Sequence, residues 1–304
     1  MTIDQAVATP ATTARPRQRA RINFAVFAVV VAGIGWVGVT IDRASGATTG
    51  TSSATSTNGS TNGQGLWIMI PALTALVLYY LSRDGAGRLG LTLRFGRRGR
   101  WFGFAAGLLP LATTVTVLAG ITLGLTTFHL TPAPGKPALL ASFVAGLGFL
   151  TLKNVIEEFI FRGYGTRTAM ATGLRGVTPH VLVGLVWGLW HLPLYLIWTP
   201  ASDRPTITSL SWLWFFPMFF LGVVALGVVL GELRVQTGSI WPGVLMHTLG
   251  SAIAAPLLAN GHLTFSGHTD ALVGIQPSSL ISILIFATAG WLLIRHRTRI
   301  HTRA

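Results

Sequence analysis

The sequence predicts an all-α, polytopic integral membrane protein of about eight transmembrane helices, and three observations carry that prediction. Of the 304 residues 51% are hydrophobic and only 10% charged, far from the balance of a soluble domain. The apolar residues gather into runs long enough to cross a bilayer at about 1.5 Å per residue. The basic residues, which give a formal charge of +14, sit in the short segments between those runs, where they carry topology rather than nucleic-acid affinity. Cysteine is absent, which excludes disulfides, thiolate metal ligands and cysteine nucleophiles.

Residues 1–23 are polar, carry Arg15, Arg17, Arg19 and Arg21, and read as a disordered basic cytoplasmic tail. The N-terminal spans occupy 24–137. The first run, 24–41, follows basic residues and precedes Ala44-Ser45-Gly46. A cleaved signal peptide therefore competes with a retained span, and the length of the run favours retention. Residues 42–65, rich in Ser, Thr, Gly and Asn, read as a flexible hydrophilic loop with no visible chemistry. Further spans are expected at 66–82, 101–127, 138–161, 179–198, 209–230, 239–258 and 279–294. Residues 138–258 hold the polar-bearing core; residues 259–304 hold a last loop, the final span and a basic cytoplasmic tail.

Orientation follows from the basic residues in the connections. With the N-terminus inside, eighteen arginines fall in inner segments, and only Arg43, Lys136 and Arg204 fall in outer loops; Lys153 lies within a span. This bias predicts a multi-pass cell-membrane protein with both termini cytoplasmic. Pro71, Pro110, Pro193, Pro217, Pro242 and Pro256 fall inside spans, where neighbouring helices can satisfy the freed carbonyls. No inverted repeat of the transporter type and no phosphate-binding glycine loop is present, so the first three spans read as packing and anchoring.

Function concentrates at Asn154-Val155-Ile156-Glu157-Glu158-Phe159-Ile160-Phe161-Arg162. The chain has only eight acids, and here two stand side by side after an apolar run. An ionisable side chain inside a bilayer costs roughly 2.5–3.5 kcal/mol on insertion scales, so the pair marks a candidate site. Glu158 and Arg162 share a helix face and can pair; Glu157 points about 100° away and can have a separate task. On the next span Trp187 and His191 share a face, and on the seventh His247 and Ser251 do. Counted from the inner ends, Glu157 lies roughly 15 Å from Arg167, His191 roughly 18 Å from Pro179, and His247 roughly 13 Å from Gly238. Three polar side chains on three helices thus reach similar depths and can meet in one cavity.

A carboxylate in an apolar wall can take a proton from water as general base, and a facing histidine can orient that water or return the proton to a leaving amine. A second histidine, with a polar side chain one turn on, can donate to the oxyanion of a tetrahedral intermediate. The reaction implied is amide hydrolysis. Glu157, His191 and His247 are also the ligand types of a catalytic zinc site, so a metal and its water remain an alternative to a cofactor-free centre.

Together Glu157-Glu158-x-x-x-Arg162, the Trp187-x-x-x-His191 pair within Trp190-His191-Leu192-Pro193, and His247 with a polar residue at Ser251 resemble the motif set of the CAAX protease and bacteriocin-processing (CPBP, or Abi) family of intramembrane proteases. The resemblance covers about residues 138–258. It implies a helical membrane fold with an intramembrane cavity open to the cytoplasm, in which Glu157 matches the water-activating base, His191 its partner and His247 the oxyanion-side histidine. The substrate implied is a peptide or protein at the lipid bilayer, and the mechanism implied is glutamate-dependent without metal. Two positions depart from the family's pattern. Trp187 stands where phenylalanine is usual, and Ser251 stands where asparagine is usual, giving a shorter and weaker donor.

Each group has a plainer reading. The two carboxylates can form a structural network in which one pairs with Arg162 and the other meets Lys153. An intramembrane histidine can satisfy an interhelical hydrogen bond, and Ser251 can bond back to its own helix. Trp187 and Trp190 read as walls. Glu232 and Arg234 read as a solvated cytoplasmic turn. His129, His180, His262, His268, His296 and His301 are assigned no role. Two other classes of function compete: a non-catalytic membrane binding or immunity protein that keeps the pocket, and a transporter with a proton relay.

Overall fold

The computed structural model describes residues 14–47, 61–81, 86–94, 96 and 99–301. Among them are eight helices long and apolar enough to cross a membrane, as the apolar runs predict. Helices dominate because a backbone in lipid must satisfy its own hydrogen bonds within each segment.

The chain runs through α1 (Ala14–Ala44), α2 (Asn62–Leu81), α3 (Gly99–Thr122) and a short strand β1 (Thr126–Phe128). Next, α4 (Leu139–Glu158) continues through a π-helical stretch (Phe159–Thr166) into α5 (Arg167–Ala171). After α6 (Thr178–Pro193) comes a second π turn (Leu194–Trp198), then the short α7 (Arg204–Ile207) and the long α8 (Trp212–Thr237). The chain closes with α9 (Trp241–Ala259), β2 (Leu263–Phe265), α10 (Asp270–Val273) and α11 (Leu280–His301). The two strands pair antiparallel, with Thr127 opposite Thr264.

Local chemistry sets the boundaries that matter for the site. Prolines occupy the first turns of α6 and α9, where a missing N–H costs nothing. Pro242 thus starts a helix rather than kinking one. Helix α8 ends on Gly238 at φ +66°, whose N–H returns to the Arg234 carbonyl at 2.9 Å. In the packing, α1 lies against α2 and α6, α9 against both α3 and α4, and α8 between α6 and α11. A Cβ at Gly184 would stand 2.9 Å from the Val224 Cα, so α6 and α8 touch backbone to backbone there.

Several expectations change. Helix α1 begins at Ala14, inside the segment expected as a disordered tail, with Arg21 Nε donating to the Thr172 carbonyl at 3.3 Å; residues 1–13 of that tail lie outside the described residues. Of the hydrophilic loop, residues 48–60 also lie outside them. Asp42 is no loop residue: it is 1% exposed and accepts from the Gly63 N–H at 2.8 Å, the Thr61 hydroxyl at 2.5 Å and Trp198 Nε1 at 2.9 Å. It caps the start of α2 and ties α1 to the second π turn. The third span ends at Thr122, and 126–128 is strand.

Glu232 is fully buried rather than solvated. It accepts from His180 Nε2 at 3.0 Å and from Arg297 Nε and Nη2 at 3.0 and 2.8 Å, joining α6, α8 and α11. That bond carries α11 as helix well into the expected basic tail. Arg234 is likewise no free turn residue: its Nη2 donates to the Arg88 carbonyl at 2.6 Å. Segment 86–94 is held further by Trp241 Nε1 on the Leu91 carbonyl and by the Ser239 hydroxyl on the Thr92 carbonyl, both at 2.8 Å.

Candidate active site

Helix α4 presents one buried stripe, Leu150, Asn154, Glu157 and Glu158, at the i, i+4, i+7, i+8 spacing of a single helix face. Its other side exposes Val144, Phe149 and Leu152, as a lipid-facing surface does. Both glutamates are therefore directed inward by the period of the sequence, and their exposures are 1% and 0%. The helix widens into π geometry directly after them, a feature that recurs at functional sites.

The adjacent carboxylates address different partners. Glu157 Oε1 pairs with the Lys153 ammonium one turn earlier, and its Oε2 accepts from the Trp187 indole N–H at 3.3 Å. Glu158 Oε1 faces Arg162 Nη1 at 3.3 Å and His247 Nδ1 at 3.2 Å. The plainer network of Arg162 with one carboxylate and Lys153 with the other is thus present, and Trp187 and His247 join it from α6 and α9.

Both histidines carry a hydrogen on Nδ1 but aim it at different acceptors. His191 Nδ1 lies 2.8 Å from the Trp187 carbonyl. A carbonyl only accepts, so this nitrogen carries a hydrogen and Nε2 of the neutral ring is left as an acceptor. His247 Nδ1 likewise carries a hydrogen toward the Glu158 carboxylate; doubly protonated, the ring would turn a second N–H outward. Both rings meet the Trp187 indole in T-shaped contacts, with centroids 5.7 Å (His191) and 5.5 Å (His247) from it. Lys153, His247 and His191 are all within electrostatic range of Glu157. The three side chains that equal depth brings together in the sequence are therefore grouped around one indole.

Glu157, Glu158 and Arg162 are buried, whereas His191, His247 and Ser251 are half-buried and the Lys153 side chain is 24% exposed. Ser251 lies one turn beyond His247 on α9 and makes no side-chain hydrogen bond among the described residues. His191 is also flanked by Trp190 at 4.8 Å and by Tyr195 at 6.2 Å. Trp190 is more than a wall: it and Trp67 stack at 4.1 Å and exchange indole N–H bonds to each other's carbonyls at 2.8 and 3.0 Å, clamping α2 to α6. A separate cavity of about 350 Å³, between residues 205–210 and 261–278, touches none of these groups.

Sequence reasoning gave Lys153 only a structural role and passed over the Asn154–Thr248 contact. Asn154 Nδ2 donates to Thr248 Oγ1 at 3.3 Å, bridging α4 to α9 beside His247, while its Oδ1 is buried without a partner. Glu158 Oε2 is also buried without a hydrogen bond and packs against Gly243. The i−4 spacing of Lys153 from Glu157 was the available signal.

Among the described residues no three His, Cys, Asp or Glu side chains converge closely enough to hold a metal ion. Glu157, His191 and His247 thus do not fit zinc in this arrangement, and the Lys153 ammonium stands at a Glu157 oxygen that would coordinate it.

The family model described as Type II CAAX prenyl endopeptidase Rce1-like matches residues 138–253. That segment contains Glu157, Glu158, Arg162, His191, His247 and Ser251, and the match agrees with the CPBP resemblance of the motifs. No curated protein matches the chain.

Proposed function

We propose that the protein is an intramembrane endopeptidase that hydrolyses a peptide bond with water activated by Glu157 and His191. The observation that carries this reading is the grouping of one buried carboxylate and two half-buried imidazoles, from three helices, around Trp187. Water placed between Glu157 and His191 Nε2 gives up a proton to the Glu157 carboxylate as its oxygen attacks the substrate carbonyl carbon. The carbonyl π electrons move onto oxygen, and His247, carrying both ring protons, with Ser251 beside it, donates to that oxyanion. Collapse restores the carbonyl and breaks the C–N bond, and the proton taken from water passes to the leaving amine. Glu158 and Arg162 shape the site by holding His247 through its Nδ1. The step needs no metal, and the Lys153–Glu157 pair supports that form of it. Both termini face the cytoplasm in this reading, on the strength of the arginine distribution.

The test is cleavage of a peptide library by purified protein. Glu157→Gln, His191→Ala and His247→Ala should each lower the rate by about 10²-fold or more, the scale of a lost general base or oxyanion donor, while the unfolding midpoint in detergent stays high. Wild-type rates in these variants would remove the assignment. A second reading, a non-catalytic membrane protein that binds a partner in this pocket, is favoured by one observation: both Glu157 oxygens already have donors. It predicts no cleavage of any library peptide by the wild-type protein.

A further inference from the structure

We propose that Trp187 is the positioning residue of this site. Its indole N–H fixes Oε2 of Glu157, while its ring sets Arg162, His191 and His247 around that carboxylate. The inference rests on the hydrolytic reading above and assigns a task to a side chain that the sequence presents as a wall.

The argument begins with what an indole offers. A buried tryptophan N–H takes a hydrogen-bond partner, and a backbone carbonyl of a neighbouring segment serves. Trp67 and Trp190 do this, each donating to a carbonyl, and Trp198 donates to the buried Asp42 carboxylate, tying helices together. Trp187, 3% exposed, likewise donates to a buried carboxylate, and that carboxylate is the proposed base. The bond completes a two-point hold on Glu157, with Lys153 on one oxygen and the indole on the other. A carboxylate held at both oxygens cannot rotate about its terminal torsion, and a general base must be held within a fraction of an ångström of the proton it takes.

The π system carries the other groups. The Arg162 guanidinium carbon lies 4.1 Å from the centre of the Trp187 ring, within the range of a cation–π contact. The same guanidinium faces Glu158, and Glu158 holds His247. His191 and His247 meet the ring at interplanar angles of 67° and 80°, as edge contacts. A phenylalanine would supply a face and a rim but no donor. The departure from the usual aromatic at this position therefore adds one thing: the N–H that reaches the base.

Two replacements isolate that N–H. Trp187→Phe keeps an aromatic ring, and site-specific 3-benzothienylalanine at 187 keeps the bicyclic shape with sulfur in place of N–H. Both should lower kcat about 10-fold or more with KM within about twofold, because Trp187 is buried and its N–H is turned to Glu157. Independently of cleavage, unfolding midpoints should be non-additive: Trp187→Phe should shift the midpoint less in a Glu157→Ala background than in the wild type. A benzothienyl variant with wild-type kcat overturns the proposal while leaving Glu157 as base untouched, and so do fully additive midpoints. A wild-type protein that cleaves no peptide overturns the hydrolytic reading and this role together.

Discussion

Gly243→Ala tests whether Glu158 works through its place rather than its charge. Gly243 lies in the first turn of α9, and an ideal Cβ there would stand 2.6 Å from Glu158 Oε2 and 3.3 Å from its Cδ. Unbonded heavy atoms settle near 3.5 Å, so the carboxylate must retreat by about 1 Å. Its other oxygen holds His247 at 3.2 Å and Arg162 at 3.3 Å, contacts that a movement of that size breaks or bends. Losing one charge-assisted hydrogen bond costs about 1.5–3 kcal/mol, against at most about 1 kcal/mol gained from the helix preference of alanine over glycine. The net of roughly 1–2 kcal/mol should lower the unfolding midpoint in detergent by several degrees. The same displacement turns His247, and each 1.4 kcal/mol of lost transition-state stabilisation is about tenfold in rate. Peptide cleavage should therefore fall about tenfold in kcat with KM nearly unchanged. A variant that melts and cleaves as the wild type does would show that Glu158 is not pinned against α9, and the coupling of Glu158 to His247 would be refuted.

Glu232→Gln removes the negative charge shared by His180 and Arg297 and leaves a single acceptor oxygen, and should destabilise the fold by about 3–5 kcal/mol, the cost of stranding a largely buried charge. Thermal unfolding checks this, and kcat per folded molecule should not change. Ser251→Asn supplies a longer, firmer donor beside His247 and should raise the cleavage rate several-fold; an unchanged or slower rate would take Ser251 out of oxyanion support. Chelation should leave cleavage intact, and elemental analysis of the purified protein should find metal well below one ion per chain. A chelator that stops cleavage, restored by added zinc, would move the chemistry to a metal-bound water.

What the sequence made legible is what local spacing controls. The eight apolar runs became eight spanning helices, because hydropathy and backbone satisfaction are decided within a segment. Glu158 with Arg162 and Glu157 with Lys153 are four residues apart, and both pairs form. What stayed hidden depends on distant partners. Glu232 looks solvated beside Arg234 at the end of an apolar run, yet its donors are 52 residues earlier and 65 later. Asp42 begins a stretch of Ser and Thr, but its partners include Trp198 on another helix. Trp187 read as a wall because periodicity reports which face a residue occupies, not which atom its N–H meets. Equal depth did bring Glu157, His191 and His247 together, although His247 bonds the other glutamate.

That last detail explains why two acids stand side by side. Neighbouring residues on a helix point about 100° apart, so α4 can address α6 with Glu157 and α9 with Glu158 from a single turn. Each carboxylate then has its own permanent cation on α4 and its π continuation, Lys153 one turn before and Arg162 one turn after. Two negative and two positive charges balance within about three turns. In a medium where an unpaired charge is expensive, this balance offsets part of the cost of burying two acids. Glu157 is thereby left to exchange a proton with water in the proposed reaction, and Glu158 to hold His247. A single glutamate with a single cation could serve as base or as anchor for His247, but not as both.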